Sequence, residues 1–132
     1  MIVRIPTKPV PASRPRVTKW GTYYSKTYKA WIQAAEHLIP HSPAEPLAIP
    51  VVANVLLAIP RARTSTLIVP VGDGDNYEKA VFDMIQKKGY LADDKWITTG
   101  HWRKRFLPFG TVGYTEITLT EETEEIDIEP TD

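Results

Sequence analysis

Residues 72–94 restrict the fold of this chain more than any other segment. Gly72-Asp73-Gly74-Asp75-Asn76-Tyr77-Glu78-Lys79-Ala80 opens the stretch and Leu91-Ala92-Asp93-Asp94 closes it. It reads as a loop bearing two carboxylates, an amphipathic helix, and a turn that delivers two more. Carboxylates brought together raise one another's pKa and repel, so a fold that gathers them needs a neutralising partner, and a divalent cation is the usual one. Locally, Asp75 suits the N-cap, with Glu78 three residues on at capping-box spacing. Both acids also suit the positive end of the helix dipole. Tyr77, Ala80, Val81, Met84, Ile85 and Lys88 recur at helical spacing as a buried stripe, and Gly89 ends the helix as a left-handed cap. The pattern predicts a helix over 75–88.

Such a helix is about 20 Å long, and the segment from Gly89 to Asp94, if extended, runs back most of that length. Asp94 therefore approaches Asp73 and Asp75 only if the chain doubles back beside the helix. Lys95-Trp96-Ile97-Thr98-Thr99, rich in strand formers, supports such a return. The expected result is a pocket of three or four carboxylates with the Lys79 amine one turn into the helix. Asp-Gly-Asp-Asn also has the composition of an ordinary turn and cap. The second acidic pair, one helix and a return away, favours the metal site. An EF-hand loop is set aside, because the sixth position from Asp73 is Glu78 rather than Gly and the twelfth is Met84 rather than Glu.

Asp73-x-Asp75-Asn76-x-x-Lys79-Ala80-x-x-Asp83, followed by Gly89-Tyr90-x-x-Asp93-Asp94, resembles the signature of the RusA family of Holliday-junction resolvases. Pro9-Val10-Pro11-Ala12-Ser13-Arg14-Pro15-Arg16-Val17 is similar to the opening of many RusA-like proteins of phages and bacteria. Together these cover most of residues 5–105. The resemblance implies a small α+β fold, a mixed β-sheet with two main helices, working as a homodimer. It implies an endodeoxyribonuclease that cuts branched four-way DNA with Mg²⁺ or Mn²⁺ and no small-molecule cofactor. At the matching positions it implies Asp73, Asp75 and Asp94 as catalytic, metal-binding aspartates and Lys79 as the functional helix lysine. Asp93 is either a fourth ligand, an outer support or a surface acid. Many members carry a basic residue shortly before the first aspartate, where this chain has Val69, Pro70, Val71 and Gly72.

The formal net charge of zero conceals an uneven distribution. Residues 121–132 hold seven acids and no Lys or Arg, which leaves nine acids against sixteen bases in residues 1–120. A nuclease domain over 1–120 thus offers a basic surface to a polyanion. Residues 121–132 are expected to form a disordered acidic tail, either a solubilising end or a competitor with DNA for that surface. There are no cysteines, which excludes disulfides and thiolate zinc sites and fits a reducing cytoplasm. No segment approaches ~18 consecutive apolar residues and no signal-peptide pattern opens the chain. The expectation is a cytoplasmic protein, of a bacterial or phage-infected cell, with no membrane partner.

Ile2 to Pro6 suits a first strand, and Pro9, Pro11 and Pro15 keep Thr7 to Pro15 extended. Arg14, Arg16 and Lys19 interleave with Trp20, Tyr23 and Tyr24, a pattern for phosphate contact and stacking on unpaired bases, although the aromatics equally suit packing on the sheet. Ser25 caps a helix through about Leu38, with Tyr28, Trp31, Ile32, Ala35, Leu38 and Ile39 on one face and Pro40 as its stop. His37 and His41 straddle that proline and lack a third ligand, so no zinc site is expected there. Val51 to Ile59 reads as a central strand. Arg61-Ala62-Arg63-Thr64-Ser65-Thr66 follows as a loop that either grips DNA or is a solvated connection. Lys95 to Phe106 and Gly110 to Leu119 read as two more strands, the first ending in Arg103, Lys104 and Arg105, which extend the candidate DNA surface. His101 is a proton donor or a structural residue.

Phosphodiester hydrolysis needs cations around an anionic transition state and an activated water, and hard carboxylate oxygens hold Mg²⁺ or Mn²⁺ for that task. A two-fold dimer matches paired nicks in opposed strands of a four-way junction. Two other readings stay open, a broader flap or fork nuclease and a non-catalytic junction-binding module. Retaining Asp73, Asp75, Lys79 and Asp94 counts against the latter, since a pure binder gains affinity by losing negative charge.

Overall fold

A computed structural model of the chain describes residues 1–122, with the side chains of Arg16, Thr22 and Tyr23 outside that description. The elements follow in the order β1 (Ile2–Ile5), β2 (Arg16–Thr18), β3 (Gly21–Tyr23), α1 (Lys26–Leu38), β4 (Val51–Pro60), α2 (Gly74–Lys87), β5 (Ile97–Leu107) and β6 (Tyr114–Glu121). β6 takes in Glu121, the first residue of the expected acidic tail, and the Glu122 amide donates to the Pro50 carbonyl. The remainder of that tail lies outside the described residues.

The proline-rich segment before β2 has no regular structure, as proline geometry requires, and is pinned by the Ala12 amide donating to the Asn76 carbonyl. β2 and β3 then form a small antiparallel hairpin. Ser25 caps α1 by accepting the Tyr28 N–H, and Pro40 prevents its continuation. Tyr28, Trp31, Ala35 and Ile39 are buried, whereas Leu38 is 44% exposed, a departure from the expected face. The helix ends at Leu38, and the extended turn at Ile39 puts that side chain into the core instead.

The main sheet has the order β1-β6-β4-β5. β4 is central as its apolar run suggests, antiparallel to β6 and parallel to β5. A parallel neighbour needs a crossover, and α2 supplies it. β5 and β6, consecutive in sequence, therefore flank β4 on opposite sides. The strand expected from Lys95 begins later, because Asp94–Trp96 form one 3-10 turn capped by Asp93. The register of β5 on β4 shifts once: Val51 faces Ile97 but Val52 faces Thr99, leaving Thr98 as an extra residue.

Alternation then divides the sheet. Val3, Ile5, Val51, Ala53, Val55, Leu57, Ile59, Ile117 and Leu119 pack in one cluster with Tyr28, Trp31 and Ala35 of α1 and with Tyr77, Ala80, Val81, Met84 and Ile85 of α2. Each fully buried aliphatic side chain contributes about 1.5–3 kcal/mol. The opposite face is open and largely polar, with Asn54, His101, Arg103, Glu116 and Thr118 around a depression of about 420 Å³.

Candidate active site

α2 starts at Gly74, and its cap is Asp73 rather than the expected Asp75. Gly72, at φ +109, turns the chain into an extended Asp73, whose Oδ1 accepts the Asp75 N–H at 3.0 Å. Asp75 lies in the first turn, where its carboxylate meets the positive end of the helix and accepts the Trp102 indole N–H at 3.2 Å. Both aspartates are exposed. Shifting the cap by two residues takes Glu78 out of any capping box. It faces β5 instead, where a side chain on Gly100 would meet Glu78 Oε1 at 3.0 Å. Glu78 Oε2 is buried with no hydrogen-bond partner. Burial, then the nearby Asp75 charge, pushes the Glu78 pKa up, partly offset by His101. The i, i+3 spacing of Asp75 and Glu78 is the sequence signal for this third carboxylate, and the capping-box reading obscured it.

Lys79 lies on the next helix face, its Nζ 3.9 Å from Asp83, with both side chains half or more exposed. That face borders a cavity of about 370 Å³ whose lining includes Arg14, Tyr24, Tyr28, Asn76, Lys79 and Asp83. The structure thus brings Arg14 and Lys79 together. Burial, with Asp83 and Tyr24 nearby, pushes the Tyr28 phenol up to about 12, so it remains a proton donor at neutral pH.

Asp94 sits elsewhere. Its amide donates to Gln86 Oε1 at 3.2 Å, and Gln86 follows Asp75 by eleven residues, about 16 Å along α2 at 1.5 Å per residue. The chain does double back beside the helix, but Trp102, eight residues later, is the side chain that reaches Asp75. Among the described residues, no group of three or more acidic or histidine side chains gathers closely enough to hold a metal ion. The neighbouring Asp93 accepts the Lys95 N–H at 2.9 Å. That bond, with smaller contributions from Asp94 and Lys95, holds its pKa below the usual carboxylate range.

The candidate DNA-binding cations divide by strand parity. Arg103 and Arg105 project from the open face, in register with Leu56 and Ala58. Lys104 points to the helix side, where its Nζ donates to the carbonyls of Pro70 at 3.1 Å and Gly72 at 2.7 Å. Arg61 donates to the Leu67 carbonyl and lies 4.1 Å over the Phe106 ring. Lys104 and Arg61 therefore hold the loop preceding α2 together, a structural use that their charge alone did not disclose. Arg63 is exposed on that loop, Lys19 lies 5.0 Å over the Trp20 ring beside the β2–β3 turn, and Arg16 opens β2.

An α+β fold that presents two exposed carboxylates at a helix N-terminus, with lysines and arginines on the neighbouring faces, suits a polyanionic substrate, as in the nuclease class. The family model described as Endodeoxyribonuclease RusA matches residues 6–118, and the chain belongs to that family. Membership agrees with the likeness read from the sequence and implies a nuclease that resolves Holliday junctions, acting on branched DNA in recombination. A search of curated proteins found no match. Among the described residues, no helix is long and apolar enough to cross a membrane.

Proposed function

We propose that this chain cuts four-way junctions by paired symmetric nicks, as a homodimer, with Asp73, Asp75 and Asp94 holding Mg²⁺ or Mn²⁺. The observation that carries the reading is the Asp73–Asp75 pair, two exposed carboxylates tied to one helix start. Among the described residues the ion pairs are Lys79–Asp83 and Lys87–Glu36, and neither includes Asp73 or Asp75. Hard oxygen donors in that state suit Mg²⁺ or Mn²⁺. When bound, the cation lowers the pKa of water and screens the phosphate.

The chain's own groups supply the rest. An exposed pair such as Lys79–Asp83 is worth about 0–1 kcal/mol, so the Lys79 ammonium can turn to a phosphate oxygen at little cost. Asp94, three turns along α2 from Asp75, completes the carboxylate set from a second copy of the chain. Two such sites related by a two-fold axis supply the two nicks. Asp93 orients the turn that carries Asp94. Arg14 beside Lys79, Arg16 and Lys19 on the hairpin, Arg63 on the loop, and Arg103 and Arg105 on the open face contact DNA phosphates. The substrate places the protein in the cytoplasm of a bacterial or phage-infected cell.

The test is nicking of a labelled four-way junction beside matched duplex, flap and fork, in Mg²⁺, Mn²⁺ or EDTA, with the intact chain and an Asp75→Asn variant. Symmetric, metal-dependent cuts that disappear in the variant are expected. Tight junction binding by both proteins without cutting would establish a binding module, and equal cutting of flaps a broader branched-DNA nuclease.

A further inference from the structure

The segment leading into the acidic pair has little packing of its own. Leu67, Ile68, Val69 and Val71 are exposed at 48, 91, 63 and 71% and Pro70 alone is buried, so side-chain packing holds the approach to Asp73 at a single point. Its carbonyls are held as well. Lys104 Nζ takes those of Pro70 and Gly72, and the Tyr77 hydroxyl takes that of Val71 at 2.8 Å, so three consecutive carbonyls are bound by side chains of β5 and α2. Gly72 fits because any side chain there would lie 2.7 Å from the Tyr77 ring. Two residues before Lys104, Trp102 lies so close to Gly74 that an added Cβ would come within 2.0 Å of the indole, and its N–H meets Asp75. Lys104 Nζ in turn lies 5.7 Å over the Trp102 ring.

We propose that Lys104 and Trp102 are positioning residues for DNA cleavage: from one edge strand they fix the backbone before Asp73 and the rotamer of Asp75. Charge-assisted bonds from an ammonium to two carbonyls are stronger than neutral ones, and the half-buried lysine is directed away from the face that carries Arg103 and Arg105. A cleavage site needs its carboxylates held to within a fraction of an ångström, and an irregular, exposed segment cannot do this unaided. The clamp therefore acts on the rate of the chemical step and on cation affinity, with junction affinity left to other cations. This rests on the assignment of Asp73 and Asp75 made above.

The test compares Lys104→Met, Lys104→Arg, Trp102→Phe and Asp75→Asn with the intact chain. Three quantities are read: single-turnover nicking at saturating protein, junction Kd against salt, and Mn²⁺ binding to the protein alone by calorimetry. Lys104→Met should nick about ten- to a hundredfold more slowly and bind Mn²⁺ more weakly, with Kd and its salt slope unchanged. Lys104→Arg, which can still donate to both carbonyls, should recover most of the rate. Trp102→Phe removes the N–H donor and, with its smaller ring, part of the packing on Gly74 while leaving the Lys104 contacts to the Pro70 and Gly72 carbonyls, so it carries the test should Lys104→Met fail to fold. It should nick several-fold more slowly. A wild-type rate in Trp102→Phe or in a folded Lys104→Met overturns the proposal. So does a loss of junction affinity in Lys104→Met with a salt slope smaller by about one, the mark of a phosphate contact. If Asp75→Asn cuts normally, the site assignment itself fails; if it is inactive while Lys104→Met is normal, only the clamp fails.

Discussion

Replacing Asp73 separates two roles that coincide in one side chain. As the cap of α2 it accepts the Asp75 N–H, and as a carboxylate it is proposed to hold a cation. Asparagine caps about as well as aspartate, whereas alanine cannot cap and costs about 1 kcal/mol. Both changes forfeit the charge–dipole attraction of about 0.3–1 kcal/mol, and both relieve repulsion from Asp75, so these contributions cancel between the variants. Asp73→Ala should therefore melt about 4 °C below Asp73→Asn for a domain of this size, with Asp73→Asn close to the intact chain. Junction nicking should fall by at least about a hundredfold in both, since neither retains the charge. Thermal unfolding by circular dichroism, beside nicking of a labelled junction, reads the two roles independently. Equal melting of the variants would mean that Asp73 is not the cap, and nicking retained by Asp73→Asn would remove its carboxylate from the chemistry.

Two further outcomes follow from the strand faces. Arg103→Ala with Arg105→Ala should weaken junction binding and reduce the salt slope of log K by about two, because both project from the open face; an unchanged slope measured across a salt titration would exclude that face from DNA contact. Glu78 carries a raised pKa, so the folded state binds its proton more tightly than the unfolded chain. Its ionised form therefore opposes folding above the ordinary value of 4.5, and the penalty is absent below it. The melting temperature of Glu78→Gln relative to the intact chain should rise between about pH 4 and about pH 7, and a flat difference in the same unfolding scans would contradict the burial argument.

Periodicity and punctuation made the helices and the central strand legible. Ser25, Pro40 and Gly89 mark helix ends by local chemistry, and Val51 to Ile59 is too apolar for an edge. The cap of α2 was ambiguous because Asp73 and Asp75 both satisfy the local pattern, and Gly72 decides between them through a dihedral angle that sequence does not display. The partner of β5 was hidden for a different reason. A strand that returns over a crossover helix can lie parallel on either side of β4, and in this fold β6 takes one side and β5 the other. Lys104 read as one of three consecutive cations, although its ligands are carbonyls more than thirty residues earlier. The acidic residues stand out by type and spacing, but their separation along α2 depends on the 3-10 turn at Asp94, which halts the extended return before it reaches the helix start.

The extra residue in β5 has a consequence for how this strand can vary. Before Thr98 the odd-numbered Ile97 packs towards the core, whereas beyond it the even-numbered residues face the helices and the odd-numbered ones face away. Thr98, whose hydroxyl donates to the Val51 carbonyl, is thus a phase setter. It decides that tryptophan and lysine meet the acidic loop while the two arginines meet solvent. Since a slip of one residue inverts every side chain of a strand, one residue added between Thr98 and Lys104 turns Trp102 and Lys104 to the open face, whereas one residue removed takes up the extra position and leaves both opposite Val55 and Leu57. Deletion of Thr98 and insertion of one residue after Thr99 read this directly, the first retaining nicking and the second losing it.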